Sequence, residues 1–183
     1  MAASISGARP QPEPRPNSVI ASIVNTLVVL CAIVPYALVA LVLRFVMARV
    51  FFISGQGKVD GPVIPVTLFG PGNEFTVVLP AGIKDATFQL FETQYAGLPV
   101  PPTLAAYLFS YAEFVLPICL LLGFATRLSA LALLVMTALI QVYVAPAALW
   151  STHAYWIVIL LVLMTVGPGA LSVDRLIRHV YEK

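Results

Sequence analysis

From residue 93 to residue 173 the chain holds only two fully charged side chains, Glu113 and Arg127. The intervening sequence is a series of apolar runs, 104–122, 128–149 and 154–171. Each approaches the roughly 20 residues that a helix needs to cross about 30 Å of hydrocarbon at 1.5 Å per residue. A fourth run, 19–53, lies upstream and contains Arg44 and Arg49. A soluble domain has no core large enough to bury this much apolar surface. Sixty per cent of the 183 residues are hydrophobic and 10% are charged, against about 25% charged in soluble domains. The net charge of +2 is too small and too scattered to suggest nucleic acid as a partner.

The expected fold is therefore all-α: an integral membrane four-helix bundle with spans at about 34–54, 103–122, 128–148 and 154–169. Residues 1–18, rich in Pro, Ala, Ser and Arg, read as a disordered tail. Pro35 splits the long first run, so 19–34 begins in or near the interface and the crossing follows it. The insert at 56–102 is predicted to leave the membrane. There, 63–69 and 74–79 flank a Gly70-Pro71-Gly72-Asn73 turn as a short β-hairpin, and 84–95 has the spacing of an amphipathic helix. Residues 172–183 form a basic amphipathic helix suited to an anionic membrane surface. Arg9, Arg15, Arg127, Arg175, Arg178 and Lys183 fall on one side of a four-span arrangement, with Lys58 and Lys84 on the other. The positive-inside rule then makes both termini cytoplasmic and the insert periplasmic or extracellular.

An ionisable group inside a span is costly and calls for a partner. Glu113 lies about 15 Å from the outer end of its span at Thr103, and Arg44 lies a comparable distance below Ile53. An Arg44–Glu113 ion pair at mid-bilayer is expected. Pro117 has no amide to bond the Glu113 carbonyl, so a carboxylate and a free carbonyl share one turn. Arg49 is rotated by roughly 140° from Arg44 and lies nearer the outer surface, where it snorkels or lines an outer pocket with Gln56. Gln141 and Thr137 add uncharged polar groups to one face of the third span. Glu113, Arg49, Gln141 and Gln56 are the candidate ligand-binding residues, with Glu113 the candidate catalytic group. The structural alternative is that these polar groups join helices.

Other chemistry lacks its residues. Cys31 and Cys119 form no C-x-x-C motif and read as core packing. His153, at an outer boundary with Tyr143, Trp150, Tyr155 and Trp156, and His179, in the C-terminal tail, are too far apart to share a metal. The Gly55-Gln56-Gly57-Lys58 and Gly70-Pro71-Gly72 clusters read as turns rather than phosphate-binding loops.

Several motifs, taken in order, resemble the DoxX family of small four-helix membrane proteins. They are Arg44-Phe45, Phe51-Phe52-Ile53-Ser54-Gly55-Gln56-Gly57-Lys58, Leu98-Pro99, Glu113, Leu122-Gly123 with Thr126-Arg127, and the closing 167–174 segment Gly-Pro-Gly-Ala-Leu-Ser-Val-Asp. The resemblance implies a bacterial inner-membrane protein. Some members are subunits of thiol- or thiosulfate-linked quinone oxidoreductases, and others belong to oxidative-stress complexes. Segment 126–146 is similar to a subgroup that accompanies copper-sequestering, bufferin-type peptide systems. Two classes of function stay open. One is the membrane subunit of a redox or metal-stress complex, with quinone as its ligand and a partner supplying electrons. The other is a noncatalytic anchor or scaffold for a periplasmic metal- or thiol-handling protein. The partners implied are the lipid bilayer, a periplasmic or membrane protein, and a second copy of the chain.

Overall fold

The computed structural model describes residues 19–32, 34–67 and 74–182. The N-terminal tail and residues 68–73, which include the expected Gly70-Pro71-Gly72-Asn73 turn, lie outside them. The chain forms two units, divided after Pro35. The first contains α1 (Val19–Ala32), an apolar helix shorter than the other long helices. The second contains everything else.

Among the described residues, four helical segments of the second unit are long and apolar enough to cross a membrane: Tyr36–Lys58, Pro102–Leu122, Thr126–Tyr143 and Pro146–Thr165. The first three are α2, α4 and α5, numbering as α3 the short helix Asp85–Thr93 that precedes α4. The fourth is composite. A 3₁₀ turn (Pro146–Ala148) and one π-helical turn (Leu149–His153) lead into α6 (Ala154–Thr165). Helix α2 packs on α4 and α6, and α5 packs on the same two, which closes a four-membered ring. Large apolar side chains such as Leu38, Val42, Leu108, Val115, Val135 and Val158 point outward. That is the pattern of helices whose outer surface meets lipid.

The inward face of α2 repeats at helical spacing through Ala40, Arg44, Met47, Ala48, Phe51, Gly55 and Lys58. On α4 it runs through Ala106, Phe109, Ser110, Glu113, Pro117 and Leu120. The two helices come into close backbone contact at Gly55, where an added Cβ would stand 2.9 Å from the backbone carbon and oxygen of Glu113. Gly55 therefore lies against the carbonyl that Pro117 leaves without its helical donor. A small residue at such a crossing lets two backbones approach.

This contact sets the register of the antiparallel pair and corrects the expected meeting of Arg44 with Glu113. With Gly55 opposite Glu113, Arg44 falls about 16 Å along the helix, beside Leu121 and Gly123. The expectation placed the outer end of the first span near Ile53. The helix continues through both glycines to Lys58, and those five residues shift the depth of Arg44 by about 7.5 Å.

Between α2 and α4 lie two small antiparallel sheets. Strands β1 (Val59–Asp60) and β4 (Gly82–Ile83) pair, enclosing the expected hairpin of β2 (Val63–Thr67) and β3 (Glu74–Val78), in which Val63 faces Val78 and Thr67 faces Glu74. Helix α3 packs on α4 through Phe91, whose ring meets those of Tyr95 and Phe109. The last helix, α7 (Val173–Tyr181), exposes Leu176, Val180 and Tyr181 together with Arg175 and Arg178.

Candidate functional site

Two buried polar clusters occupy opposite ends of the bundle. At the end shared by Tyr36 and α7, Arg44 is fully buried and donates to the carbonyls of Leu121 at 3.2 Å and Leu171 at 2.5 Å. Gly123, with φ of 72°, ends α4 directly against this guanidinium and Ser172. A side chain there would be strained by the backbone angle and would collide with both. Asp174 completes the cluster. Its carboxylate accepts from the amides of Ala125 at 2.7 Å and Thr126 at 2.9 Å, satisfying two donors at the start of α5. Its own amide donates to the Gly123 carbonyl. The Tyr36 hydroxyl donates to the Gly167 carbonyl at 2.8 Å. Nearly every hydrogen bond here goes to main chain, so the cluster clamps helix ends together.

At the other end Glu113, 1% exposed, is paired with Lys58. The ammonium lies 2.6 Å from Oε1 and 2.5 Å from Oε2, and 3.2 Å from Ser54 Oγ one turn back on α2. These contacts use all three of its protons. Ser54 Oγ accepts in this arrangement, which leaves its own hydroxyl proton for another acceptor. The Lys58 carbonyl receives the Thr87 hydroxyl and the Lys84 amide, so the last turn of α2 is anchored to the start of α3.

Beside the pair is a cavity of about 360 Å³ lined by Val50, Phe51, Ser54, Lys58, Gln94, Tyr95, Glu113, Ile140, Val144, Ala145, His153 and Trp156. Its size is that of a small-molecule site, and a mainly apolar wall with a few convergent polar groups is typical of one. Burial, and secondarily the Glu113 carboxylate, push the Tyr95 phenol above its ordinary value, which keeps it a protonated donor at neutral pH. His153 comes from the π-helical turn, is 6% exposed, and has its ring centroid 5.3 Å from that of Trp156. Its Nδ1 lies 2.6 Å from Gln141 Oε1.

The structure redistributes the residues expected at the site. Glu113 is there, but its partner is Lys58 rather than Arg44. Gln141 is there at one remove, through His153. Gln56 instead bonds both the amide and the carbonyl of Val78, at 2.6 and 3.1 Å, and so ties the hairpin to α2. Arg49 is exposed and does not line the cavity. Thr137 is buried and returns its hydroxyl to the Leu133 carbonyl. Sequence reasoning missed Lys58, Ser54, His153 and Tyr95. The signal for the first two was the helical spacing of Phe51, Ser54, Gly55 and Lys58, hidden because the glycines read as a turn.

No curated protein and no solved structure matches the chain. The DoxX family model matches residues 39–146. That stretch holds Arg44, Lys58, Glu113 and Gln141, while His153 and Asp174 lie beyond it. It covers more than half of the sequence, and with four membrane-length apolar helices the chain belongs to the DoxX family of integral membrane proteins.

Proposed function

We propose that the protein is the quinone-binding membrane subunit of a redox or metal-stress system, with the headgroup held in the cavity beside Lys58 and Glu113. The observation that carries this reading is the combination of a buried ion pair with a 360 Å³ cavity whose remaining walls are largely apolar and aromatic. A closed salt bridge that only joined helices would have no need of such a space. In this reading Phe51 and Trp156 contact the ring of the headgroup. One carbonyl accepts from the Ser54 hydroxyl, polarised by the adjacent ammonium. The chain binds and orients the quinone, and a periplasmic partner bearing two thiols supplies the electrons: quinone plus dithiol gives quinol plus disulfide, two electrons and two protons moving together. The positive-inside distribution supports both termini being cytoplasmic and the insert facing the partner, in the bacterial inner membrane that the family resemblance implies.

Trp156 lines the cavity and Trp150 does not, and these are the two tryptophans of the chain. In a Trp150→Phe background, a short-chain benzoquinone is therefore expected to quench the remaining fluorescence saturably. Lys58→Met combined with Glu113→Leu, which removes both charges at once, is expected to abolish the saturable component. Linear, unsaturable quenching in the parent would refute the quinone site.

A scaffold role has one observation in its favour. The double hydrogen bond from Gln56 to Val78 holds the β2–β3 hairpin on the end of α2, as a fixed platform for a partner requires. Exchange of residues 63–95 for a neutral linker would then abolish partner recovery, even where quinone binding never occurred.

A further inference from the structure

We infer that the cavity discriminates between the oxidised and reduced forms of its headgroup, and that His153, fixed in one tautomer by Gln141, is the residue that does so. The inference rests on the quinone reading and specifies the chemistry of the same site. Gln141 Nε2 donates to the Pro146 carbonyl at 2.8 Å, which turns Oε1 toward His153 Nδ1 at 2.6 Å. An amide oxygen only accepts, so the proton of that bond belongs to Nδ1. Turning the amide over would set its oxygen against the Pro146 carbonyl oxygen, two acceptors face to face. The neutral ring is thereby held with Nδ1 protonated, and Nε2 is an acceptor. Among the described residues Nε2 has no hydrogen-bond partner, and His153 lines the cavity. Gln141 is a positioning residue in this arrangement, and His153 is the group that meets the ligand.

The consequence is a donor and acceptor pattern. Ser54 offers a proton and His153 Nε2 asks for one. A hydroquinone has a hydroxyl to give to Nε2, whereas a quinone has only carbonyl lone pairs, which repel the lone pair of Nε2. Neutral His153 selects the reduced headgroup. The titratable groups that share the cavity with His153 are Lys58 from α2, Glu113 from α4 and Tyr95 after α3. Lys58 and Glu113 are bonded to each other, and Tyr95 stays protonated at neutral pH.

The experiment is anaerobic flow dialysis of the purified full-length protein in lipid nanodiscs, using a short-chain benzoquinone and its hydroquinone at pH 8. The wild type is expected to bind the hydroquinone about tenfold more tightly at pH 8, the scale of one net hydrogen bond. His153→Gln, whose amide serves as either donor or acceptor, is expected to bring the ratio near one. Gln141→Leu keeps the imidazole but frees its tautomer, and is expected to lower the pH 8 ratio. A preference that persists unchanged in both variants would overturn the assignment of His153. So would equal binding of the two forms by the wild type, with the quinone reading left standing if both are lost in Lys58→Met with Glu113→Leu. Binding of neither form by the wild type would overturn the quinone reading and this inference together.

Discussion

Arg44 and Lys58 sit on the same face of the same helix, both buried, yet they are treated in opposite ways. Arg44 donates to two main-chain carbonyls at the ends of other elements, with Gly123 packed directly against it. Lys58 meets a carboxylate and borders a cavity. A rigid guanidinium with five donors suits the joining of several carbonyls. A compact ammonium facing a carboxylate is a less economical way to stabilise a bundle, since hydrophobic residues of similar volume often do as well. Charge inside this bundle thus serves two ends: one cluster holds the fold, and the other maintains a polar wall.

The comparison can be broken most decisively at Glu113. Glu113→Gln leaves the Lys58 ammonium buried without its counter-charge and is expected to cost about 4 kcal/mol, read as a lowered unfolding midpoint in detergent or by steric trapping in bilayers. Replacing both partners, Lys58→Met with Glu113→Leu, is expected to return stability to within about 1 kcal/mol of the parent while quinone quenching stays lost. A double variant as unstable as the single one would show that the pair holds the fold after all.

Arg44→Met sharpens the contrast from the other side. It strands the Leu121 and Leu171 carbonyls, and a loss of about 3 kcal/mol is expected, with quinone affinity in the folded fraction unchanged. A coupled loss of affinity would mean that the two ends are not independent. Asp174→Asn has the smallest effect. It replaces one of the two oxygens that accept from the Ala125 and Thr126 amides with an NH2 donor, and a loss of about 1 kcal/mol is expected, detectable as faster hydrogen exchange confined to the first turn of α5.

The four spans, the hairpin and the short amphipathic helix were legible because apolar runs, alternation and helical spacing are local signals. Glu113 was legible because it stands alone in an apolar run. Its partner was not. Gly55 and Gly57 read as helix breakers, and only the facing backbone of Glu113 reveals why a glycine at position 55 belongs inside a helix. Ending the span early placed Lys58 in a loop and moved Arg44 to the wrong depth. His153 was missed for a related reason. The aromatic residues around it mark an interface, and nothing in the local sequence announces a π-helical turn that rotates the ring inward toward Gln141. At the opposite end, segment 167–174 lies beyond the residues that the family model matches. Its physical work, capping α5 through Asp174 and receiving Arg44 through the Leu171 carbonyl, depends on contacts more than 45 residues apart in the chain.

The central claim is that the cavity beside Lys58 and Glu113 receives a quinone headgroup. Its most direct test is photo-crosslinking of the full-length protein in native membranes with an azidoquinone, followed by mass spectrometry of the labelled peptides. Labelling is expected to concentrate at cavity-lining positions such as Phe51, Ser54, Tyr95 and Trp156, and to be competed away by unlabelled quinone. Label spread over the outward faces of the helices, at residues such as Val42, Val115 and Val135, and indifferent to competitor would contradict it.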